Sequence, residues 1–352
     1  MFNRLVARSR SRSILVGAAM ATALTVLSTA FAGASTVGTL DALVDQAGAG
    51  MVVARGAETV YSHDGGTGVD QVVPLASGSK LVAATTMMAL VDQGLLALDT
   101  PVAMYLRNSP VSWPQNKNAI TLRMLLSHTA GIPENRCISG AATLLDCARD
   151  IASAPLNDIP GTAFSYGGTG YQLAGYLAEH VTGQRWQELV RRYVAAPAEM
   201  PTLAFDTSAN PRIAGGAKAS ARDYLHLLQA HLADGVYRGA QLLSADSVRE
   251  MRVNAVAGAA VRVSPGRRHH LDGYGLAWWI REPCARPGSD GPELSDPGAF
   301  GFIGLIDPSL GQATVITMRQ NLEVGENLYR QARPHILALL TGSAPAHPTC
   351  GI

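Results

Sequence analysis

The order of strand-like and helix-like segments is the feature that most constrains the fold of this chain. The strand-like runs are residues 51–62, 274–280, 301–306 and 312–318. Apolar residues recur at helical spacing in 81–95, 170–181, 185–194, 219–232, 244–253 and 328–340. A regular alternation of strands with helices, typical of a parallel sheet, is missing. The pattern predicts an α+β fold, in which both chain ends build one antiparallel sheet around a mostly helical insertion.

The composition is sufficient for a large buried core. Of the 352 residues, 47% are hydrophobic and 16% are charged, which is too apolar for a disordered chain. The 28 basic and 27 acidic residues leave a net charge of +1, so the charge balance gives no indication of a nucleic-acid partner. No linker-like stretch divides the chain after its first 32 residues. We therefore expect residues 33–352 to form a single domain.

The first 32 residues have the pattern of an export signal. Four arginines precede an apolar run from Ile14 to about Ala32, and this run ends in Ala30-Phe31-Ala32, an A-x-A-type cleavage site. An uncleaved anchor is the alternative, because the run of about 19 residues is near the minimum for a spanning helix. We predict a cleaved signal peptide over 1–32. The mature domain is then secreted or periplasmic, without stable membrane insertion.

The four cysteines become informative if the chain is exported. Cys137, Cys147, Cys284 and Cys350 are an even number, which in an oxidising compartment indicates two disulfides with three possible pairings. Local spacing favours Cys137–Cys147, which leaves Cys284–Cys350. Four buried or free thiols are the alternative. A C-x-x-C motif is missing, so neither a zinc site nor a redox dithiol is expected.

The segment Ser77-Gly78-Ser79-Lys80 is the sharpest chemical signal. Residues three apart share one face of a helix, so Ser77 and Lys80 would lie within hydrogen-bond reach, whereas Ser79 points elsewhere. A serine becomes an effective nucleophile when a neighbouring base accepts its proton. A lysine in apolar surroundings can be that base. The alternative is an N-cap serine followed by an exposed lysine.

Motifs of several other enzyme classes are missing from the sequence. We find no G-x-S-x-G, H-E-x-x-H, P-loop or G-x-G-x-x-G pattern, and the nine histidines have no ligand spacing. His128, in Ser127-His128-Thr129-Ala130-Gly131, is interpreted as part of a structural turn. We therefore expect the protein to use neither a metal ion nor an organic cofactor.

Several further segments match, in order, the motifs of a known enzyme family. The matching segments are 75–80, 90–99, 120–131, 160–168, 170–179, 181–183, 273–278 and 298–301. They resemble the class C β-lactamase-like serine hydrolase family, which also contains penicillin-binding DD-peptidases and esterases. The resemblance covers roughly residues 40–340 and implies a β-lactamase-like fold. Because many motifs agree, it favours the catalytic interpretation of Ser77 and Lys80.

The resemblance also implies a role for each catalytic residue. Ser77 is the nucleophile, and Lys80 and Tyr166 remove and later return its proton. Tyr166 stands where the family has the tyrosine of a Tyr-x-Asn motif. The backbone N–H groups of Ser77 and Ala299 are predicted to form the oxyanion hole. The alternative for Tyr166 is a core aromatic residue with a satisfied hydroxyl group.

Two positions depart from the pattern of the family. Gly168 replaces the asparagine of Tyr-x-Asn, and Asp296-Pro297-Gly298 replaces the usual Lys-Thr-Gly or His-x-Gly motif. A carboxylate at position 296 is expected to repel a substrate carboxylate. We predict that Gly168, Gly298 and Phe300 contribute to substrate binding, with a core position as the alternative for Phe300.

The sequence therefore predicts an exported serine hydrolase that acts through a Ser77 acyl-enzyme. Its substrate is a small ester, amide or peptide, and an esterase is favoured over a β-lactamase because Gly168 and Asp296 remove polar partners of amides and carboxylates. The first alternative is a β-lactamase or DD-carboxypeptidase that acts on cell-wall peptides. The second is a non-catalytic cell-envelope protein that binds a ligand without turnover.

Overall fold

The computed structural model describes residues 35–271, 273–281 and 291–342. The helices are α1 (35–47), α2 (Ser79–Asp92), α3 (Val102–Tyr105), α4 (Leu122–Leu126), α5 (Cys137–Gly140), α6 (Leu144–Ser153), α7 (Thr169–Thr182), α8 (Trp186–Val190), α9 (Ala221–Leu232), α10 (Ala245–Arg252) and α11 (Leu322–Thr341). Short 3-10 turns cover Ala76–Gly78, Gln115–Lys117 and Pro265–His269, and a π-helical turn covers Arg191–Ala195.

Thirteen strands accompany these helices in the described residues. They are β1 (Gly50–Arg55), β2 (Glu58–Asp64), β3 (Val73–Pro74), β4 (Ala163–Ser165), β5 (Lys218–Ala219), β6 (Val236–Tyr237), β7 (Ala240–Gln241), β8 (Ala260–Val263), β9 (Gly273–Tyr274), β10 (Trp279–Arg281), β11 (Glu293–Ser295), β12 (Ile303–Asp307) and β13 (Gln312–Thr317). Small two-stranded pairs join β3 to β5, β4 to β8 and β6 to β7.

A seven-stranded sheet carries the fold. Its strand order is β2-β1-β13-β12-β11-β10-β9, and each neighbouring pair is antiparallel. Strand β1 pairs with β13 from Gly50 opposite Thr317 to Arg55 opposite Gln312, so the two ends of the chain lie side by side. The predicted α+β fold, with an antiparallel sheet built from both chain ends, is confirmed.

The sheet is covered on both faces. Successive side chains of a strand point to opposite faces, and in β1 Val52 and Ala54 pack into the large core with the central helices. Met51 and Val53 pack instead into a second core with α1 and α11. Strands β12 and β13 are buried along their whole length. The central sheet is therefore sandwiched between two layers of helices.

Helix α2 lies inside the large core. Twelve of its fourteen residues are buried, which is typical of a helix that is surrounded by protein on every side. Its two central threonines are satisfied internally: the hydroxyl of Thr86 donates to the carbonyl of Val82, and that of Thr85 bonds His231 at 2.9 Å. This packing fixes the start of α2 relative to the sheet.

Two elements differ from the sequence prediction. Residues 274–280 form two strands, β9 and β10, that pair with each other, because the chain turns between them and Ala277 has a φ of 75°. The last helix begins at Leu322, before the predicted start at residue 328, and Pro334 lies inside it. The strand-like run of residues 51–62 is confirmed, and it forms the paired strands β1 and β2.

One of the predicted disulfides is present. Cys137 and Cys147 are bonded, with their Cα atoms 4.9 Å apart, and they join α5 to α6. Closing a loop of this length stabilises the folded chain by about 2–3 kcal/mol. The predicted partners Cys284 and Cys350 lie outside the described residues, as does the predicted signal peptide 1–32. Within the described ranges, no helix has both the length and the hydropathy needed to cross a membrane.

Lys117 is a buried cation at the end of α6. Its ammonium donates to the carbonyl oxygens of Ile151, Ala152 and Ala154 at 2.7, 2.8 and 2.6 Å. The last carbonyl groups of a helix have no N–H partner within the helix, and a cation there is also favoured by the helix dipole. Burial lowers the pKa of this ammonium. Lys117 therefore fastens the Gln115–Lys117 turn to α6.

We expect Lys117→Met to lower the free energy of unfolding by about 2–3 kcal/mol, because three carbonyl groups lose a charged donor. Urea denaturation of both proteins measures the change. Lys218→Met is the matched control, since Lys218 is exposed. Equal stability of the two variants would contradict the role given to Lys117.

Candidate active site

Ser77 lies in the 3-10 turn that leads directly into α2. The preceding residue, Ala76, has a φ of 46°, a region that residues other than glycine rarely adopt. Such strained residues concentrate at functional sites. At Gly78 a Cβ atom would lie 2.5 Å from the ring of Phe302, so glycine is needed for this turn to pack against the sheet.

The structure brings the three predicted catalytic residues together. The Nζ of Lys80 donates to the Oγ of Ser77 at 3.2 Å and to the carbonyl of Ala214 at 3.1 Å. The same nitrogen lies 4.6 Å from the centre of the Tyr166 ring. Lys80 is only 4% exposed. A serine hydroxyl, an amine and a phenol therefore meet at the buried start of α2.

Ser79 faces the protein interior. Its hydroxyl donates to the carbonyl of Ala76 at 2.6 Å and accepts the N–H of Ala217 at 2.9 Å. The side chain is fully buried. These bonds hold the strained turn in place, and they leave Ser77 as the serine that contacts Lys80.

His128 supports the loop that carries Tyr166. Its ring centre lies 4.6 Å from that of Tyr166 and 5.0 Å from that of Tyr274. Burial, and to a smaller extent the charge of Lys80, lower the pKa of His128 well below its ordinary value. The Nδ1 of the neutral ring accepts the N–H of Gly167 at 3.4 Å, so Nε2 carries the proton that bonds Tyr274 at 3.2 Å. The sequence analysis interpreted His128 only as part of a structural turn. Its position inside the matched segment 120–131 was the signal that could have indicated a place near the site.

Tyr166 is placed by the short parallel pair of β4 and β8. It directly follows β4, and its N–H donates to the carbonyl of Val263 at 3.0 Å. Its ring also lies against Trp279, with 5.0 Å between the ring centres. Tyr166 is partly exposed, and so differs from the core aromatic residue considered as its alternative.

The segment after β11 packs closely against the turn of Ser77. A Cβ atom at Gly298 would lie 2.2 Å from the carbonyl oxygen of Leu75, and the N–H of Gly298 donates to Phe302 at 2.8 Å. The next residue, Ala299, is exposed. Phe300 is 49% exposed, which excludes a core position for it. The predicted oxyanion donor Ala299 and the predicted substrate contact Phe300 are thus both at the surface beside the nucleophile turn.

Gly168 lies at the start of α7, beside a carboxylate that the sequence did not reveal. The N–H of Gly168 donates to Glu134 at 2.8 Å, and the hydroxyl of Thr169 donates to the same oxygen at 3.1 Å. A Cβ atom at Gly168 would lie 2.9 Å from Ile138 and 3.2 Å from Glu134. Glu134 therefore fills the space beside the position where the family has asparagine, and the helix dipole favours its negative charge.

Asp296 points into the core, away from the site. It is 2% exposed, and Gly304 leaves room for one of its oxygens, since a Cβ there would lie 2.3 Å from Oδ1. Burial raises the pKa of Asp296 well above its ordinary value, against smaller opposing effects that include the Tyr224 hydroxyl and the charge of Lys80. The expectation that Asp296 repels a substrate carboxylate is therefore wrong, because its side chain is buried in the core, where burial favours the uncharged form.

A chain of hydrogen bonds accounts for a protonated Asp296. The Tyr224 hydroxyl has one proton, and it contacts both the carbonyl of Gly78 at 2.8 Å and the Oδ2 of Asp296. If Asp296 keeps its proton, it donates to Tyr224, and Tyr224 donates to Gly78. Asp296, the first residue of the Asp296-Pro297-Gly298 segment, is thereby linked to the backbone of the nucleophile turn.

A cleft of about 1180 Å³ opens at Tyr166 and Ala299. Val263, residues of the Pro265–His269 turn and residues of α11 also line it. Its volume is ample for a small ester, amide or peptide. Among the described residues, no group of three His, Cys, Asp or Glu side chains is arranged to hold a metal ion.

Comparison of the sequence with known proteins gives a consistent family assignment. A family model described as Beta-lactamase matches residues 37–344. Penicillin-binding protein 4 of Amycolatopsis lactamdurans is 28% identical over 317 residues, which cover 79% of this chain and 80% of the relative. Esterase EstB of Burkholderia gladioli is 31% identical over 211 residues, and the match spans 51% of this chain and about half (53%) of the esterase.

Solved structures show the same fold. A putative beta-lactamase from Bacteroides dorei DSM 17855 superposes with a TM-score of 0.72 at 24% identity, covering 85% of this chain and 97% of the other. EstCE1, a hydrolase with promiscuous acyltransferase activity, superposes with a TM-score of 0.69 at 18% identity, covering 87% and 98%. At these identities the likeness concerns the fold alone, and it confirms the predicted β-lactamase-like fold.

We expect Asp296→Asn to become more stable relative to the unchanged protein as the pH rises. A raised pKa means that folded Asp296 keeps its proton while the unfolded chain loses it above about pH 4, so the unchanged protein loses stability with increasing pH. Urea denaturation at pH 5, 7 and 9 measures the difference.

Asp70→Asn is the control, because Asp70 is exposed and its bond to Arg222 lowers its pKa. The change in unfolding free energy caused by Asp70→Asn should stay constant over the same pH range, since the stabilisation by the Asp70–Arg222 pair is lost only at acid pH. A constant difference for Asp296→Asn as well would show that Asp296 is ionised in the folded protein.

Proposed function

This chain belongs to the Beta-lactamase family of serine hydrolases, and from that membership we propose that it is an exported esterase whose nucleophile is Ser77. The observation that carries the proposal is the 3.2 Å contact between the Nζ of Lys80 and the Oγ of Ser77. The same Nζ lies over the ring of Tyr166. Ser77 is partly exposed in the turn before the buried helix α2, and Tyr166, whose ring lies against Lys80, lines a cleft large enough for a substrate.

In the proposed reaction, Lys80 and Tyr166 take the hydroxyl proton of Ser77 as its Oγ attacks the acyl carbonyl carbon. The negative charge that develops on the carbonyl oxygen is stabilised by the N–H groups of Ser77 and Ala299. The alcohol then leaves with the proton. Water attacks the acyl-enzyme in the reverse sequence, releases the carboxylic acid and restores Ser77.

Two features of the site favour esters over amides and β-lactams. Gly168 has no side chain to bond an amide where the family has asparagine, and Asp296 gives no cation to hold a carboxylate next to the scissile bond. Phe300 adds an exposed apolar side chain beside Ala299. An ester is cleaved with less assistance from the enzyme than an amide, because its leaving group departs more readily.

Export is supported by two independent features. The first 32 residues have the sequence pattern of a signal peptide. The Cys137–Cys147 disulfide is typical of an oxidising compartment. We therefore place the mature protein, as a single hydrolase domain over 33–352, in the periplasm or outside the cell. The match of the family to residues 37–344 supports these bounds.

A second candidate function is hydrolysis of cell-wall peptides. The observation in its favour is the similarity to Penicillin-binding protein 4 along 80% of that protein, a longer match than the one to Esterase EstB. A non-catalytic binding role is disfavoured, because Ser77, Lys80 and Tyr166 are all present and in contact.

We expect Ser77→Ala to abolish covalent labelling by a fluorophosphonate and to lower kcat by several orders of magnitude. Ser79→Ala is the matched control within the same turn. It should keep the label, although the loss of two buried hydrogen bonds lowers its unfolding free energy by about 1–3 kcal/mol. Mass spectrometry of the labelled protein locates the adduct. A label that persists in Ser77→Ala and is lost in Ser79→Ala would assign the nucleophile to Ser79.

We expect short-chain aryl esters to be hydrolysed with a higher kcat/KM than nitrocefin or benzylpenicillin. The reason is that neither Gly168 nor the buried Asp296 offers the partners that the resemblance associates with amide and carboxylate recognition. Initial-rate kinetics on purified protein gives the ratio. Faster hydrolysis of penicillins than of esters would favour the cell-wall alternative.

A further inference from the structure

A buried network of charged side chains lies between strands β10 and β11 and helix α11. The carboxylate of Glu293 accepts the Nε of Arg333 at 2.8 Å and the Nη1 of Arg281 at 3.2 Å. The Nη2 of Arg281 also donates to Glu326 at 3.1 Å. The side chains of Glu293 and Arg333 are only 1% and 3% exposed. These ions are therefore shielded from water and depend on one another.

The arginines of this network carry more donors than the network uses. Within the described part of the chain, both Nη atoms of Arg333 are buried without a hydrogen-bond acceptor, and so is the Nε of Arg281. A guanidinium group presents five N–H donors in one plane. Leaving charged donors buried and unpaired is strongly unfavourable, so these nitrogens indicate a place for an acceptor.

A narrow pocket lies next to these donors. Four arginines line it, namely Arg268, Arg281, Arg330 and Arg333, and we call it the arginine pocket. Its volume of about 30 Å³ has room for roughly two water-sized groups, which suits the paired oxygens of a carboxylate.

The arginine pocket has an excess of positive charge. Among the described residues, four guanidinium groups and one carboxyl group, that of Glu326, line the pocket, and Glu293 is paired with Arg281 and Arg333 behind it. Burial also raises the pKa of Glu326, which reduces the negative charge available to offset the arginines. An anion that enters the pocket therefore meets a net positive charge in a site with little water, where electrostatic attraction is strong.

The arginine pocket adjoins the cleft at Tyr166 and Ala299, because the two cavities share lining residues. Arg268, Arg330 and Glu326 line both, while Tyr166 and Ala299 line the cleft where it adjoins the nucleophile turn. Neither Ser77 nor Lys80 lines the arginine pocket. A ligand that reaches from one to the other must therefore extend along the cleft.

We propose that the arginine pocket binds the anionic end of an elongated substrate whose scissile ester lies at Ser77. The inference rests on the proposed esterase function and adds the substrate class: an ester with a carboxylate or phosphate group remote from the bond that is cleaved. The planar guanidinium of Arg333 can pair with two oxygens of such a group, and the exposed Arg268 and Arg330 attract it into the cleft.

Matched aryl esters test the proposal. The p-nitrophenyl monoesters of glutaric, adipic and suberic acid are compared with the neutral esters of the same chain length, and a parallel series ends in a phosphonate. We expect the best-fitting anionic ester to have a kcat/KM about 10- to 100-fold above its neutral counterpart, as expected for a charged hydrogen-bonded contact. Whichever series has the larger ratio identifies the anion as carboxylate or phosphate.

Variants connect that ratio to the arginine pocket. Arg333→Met should bring the ratio close to one. However, the loss of the Arg333 side chain also leaves Glu293 short of a partner. The double variant Arg268→Ala/Arg330→Ala changes only exposed positions, so it gives the same test without disturbing the core. Arg222→Ala, an exposed arginine bonded to Asp70, is the control and should keep the full ratio. A ratio near one in the unchanged protein, or one that the double variant leaves intact, would overturn the proposal.

Direct binding separates this proposal from the esterase function. Adipate and inorganic phosphate are titrated calorimetrically into the unchanged protein and the double variant. Binding of either anion that is lost in the double variant supports the arginine pocket even if no ester is hydrolysed, an outcome that would reject only the esterase function. Hydrolysis of neutral esters without any anion binding would reject the arginine pocket and keep the esterase. Binding of phosphate without any preference for anionic esters would show a site for free phosphate and overturn its role in substrate binding.

Discussion

The burial of α2 on every side is the constraint on which the rest of the structure depends. A helix with twelve of fourteen residues buried is stable only when other elements surround it. Here α7, α8 and the π-helical turn Arg191–Ala195 contact it, and apolar residues of the sheet share its core. The turn that precedes α2 is consequently held against the middle of the sheet, where Gly78 meets Phe302 at the start of the central strand β12. Ser77 and Lys80 therefore approach each other on a rigid support, which is what pre-organised catalysis requires.

The same packing explains the role of Asp296, which stands where the resembled family has a cation. Asp296 faces the large core from the sheet and is linked through Tyr224 to the carbonyl of Gly78. Where the resembled family has a cation, this chain has a buried carboxyl group that is linked to the turn of the nucleophile. Position 296 therefore supports that turn and does not face the substrate.

The sequence predicted the sheet and the S-x-x-K pair because both depend on local periodicity. Strand alternation at the two chain ends and the three-residue spacing of Ser77 and Lys80 are visible in a short window. The side-chain direction of Asp296 is not visible in such a window, since a shift of one residue along a strand moves a side chain to the opposite face of the sheet. Glu134 and Arg333 were missed for a related reason: their partners lie far along the chain, and only the folded structure brings them together.

The distribution of charge along the cleft separates chemistry from recognition. Close to Ser77, Asp296 is buried with a raised pKa, and Glu134 is held at the start of α7. The guanidinium donors that have no acceptor among the described residues lie instead at the arginine pocket, on the side of α11. In the proposed substrate, the anionic group therefore belongs at the far end of the chain and not next to the scissile bond. Selection by charge would then act on the length of the substrate as well as on its sign, because only a molecule that spans the cleft satisfies both ends.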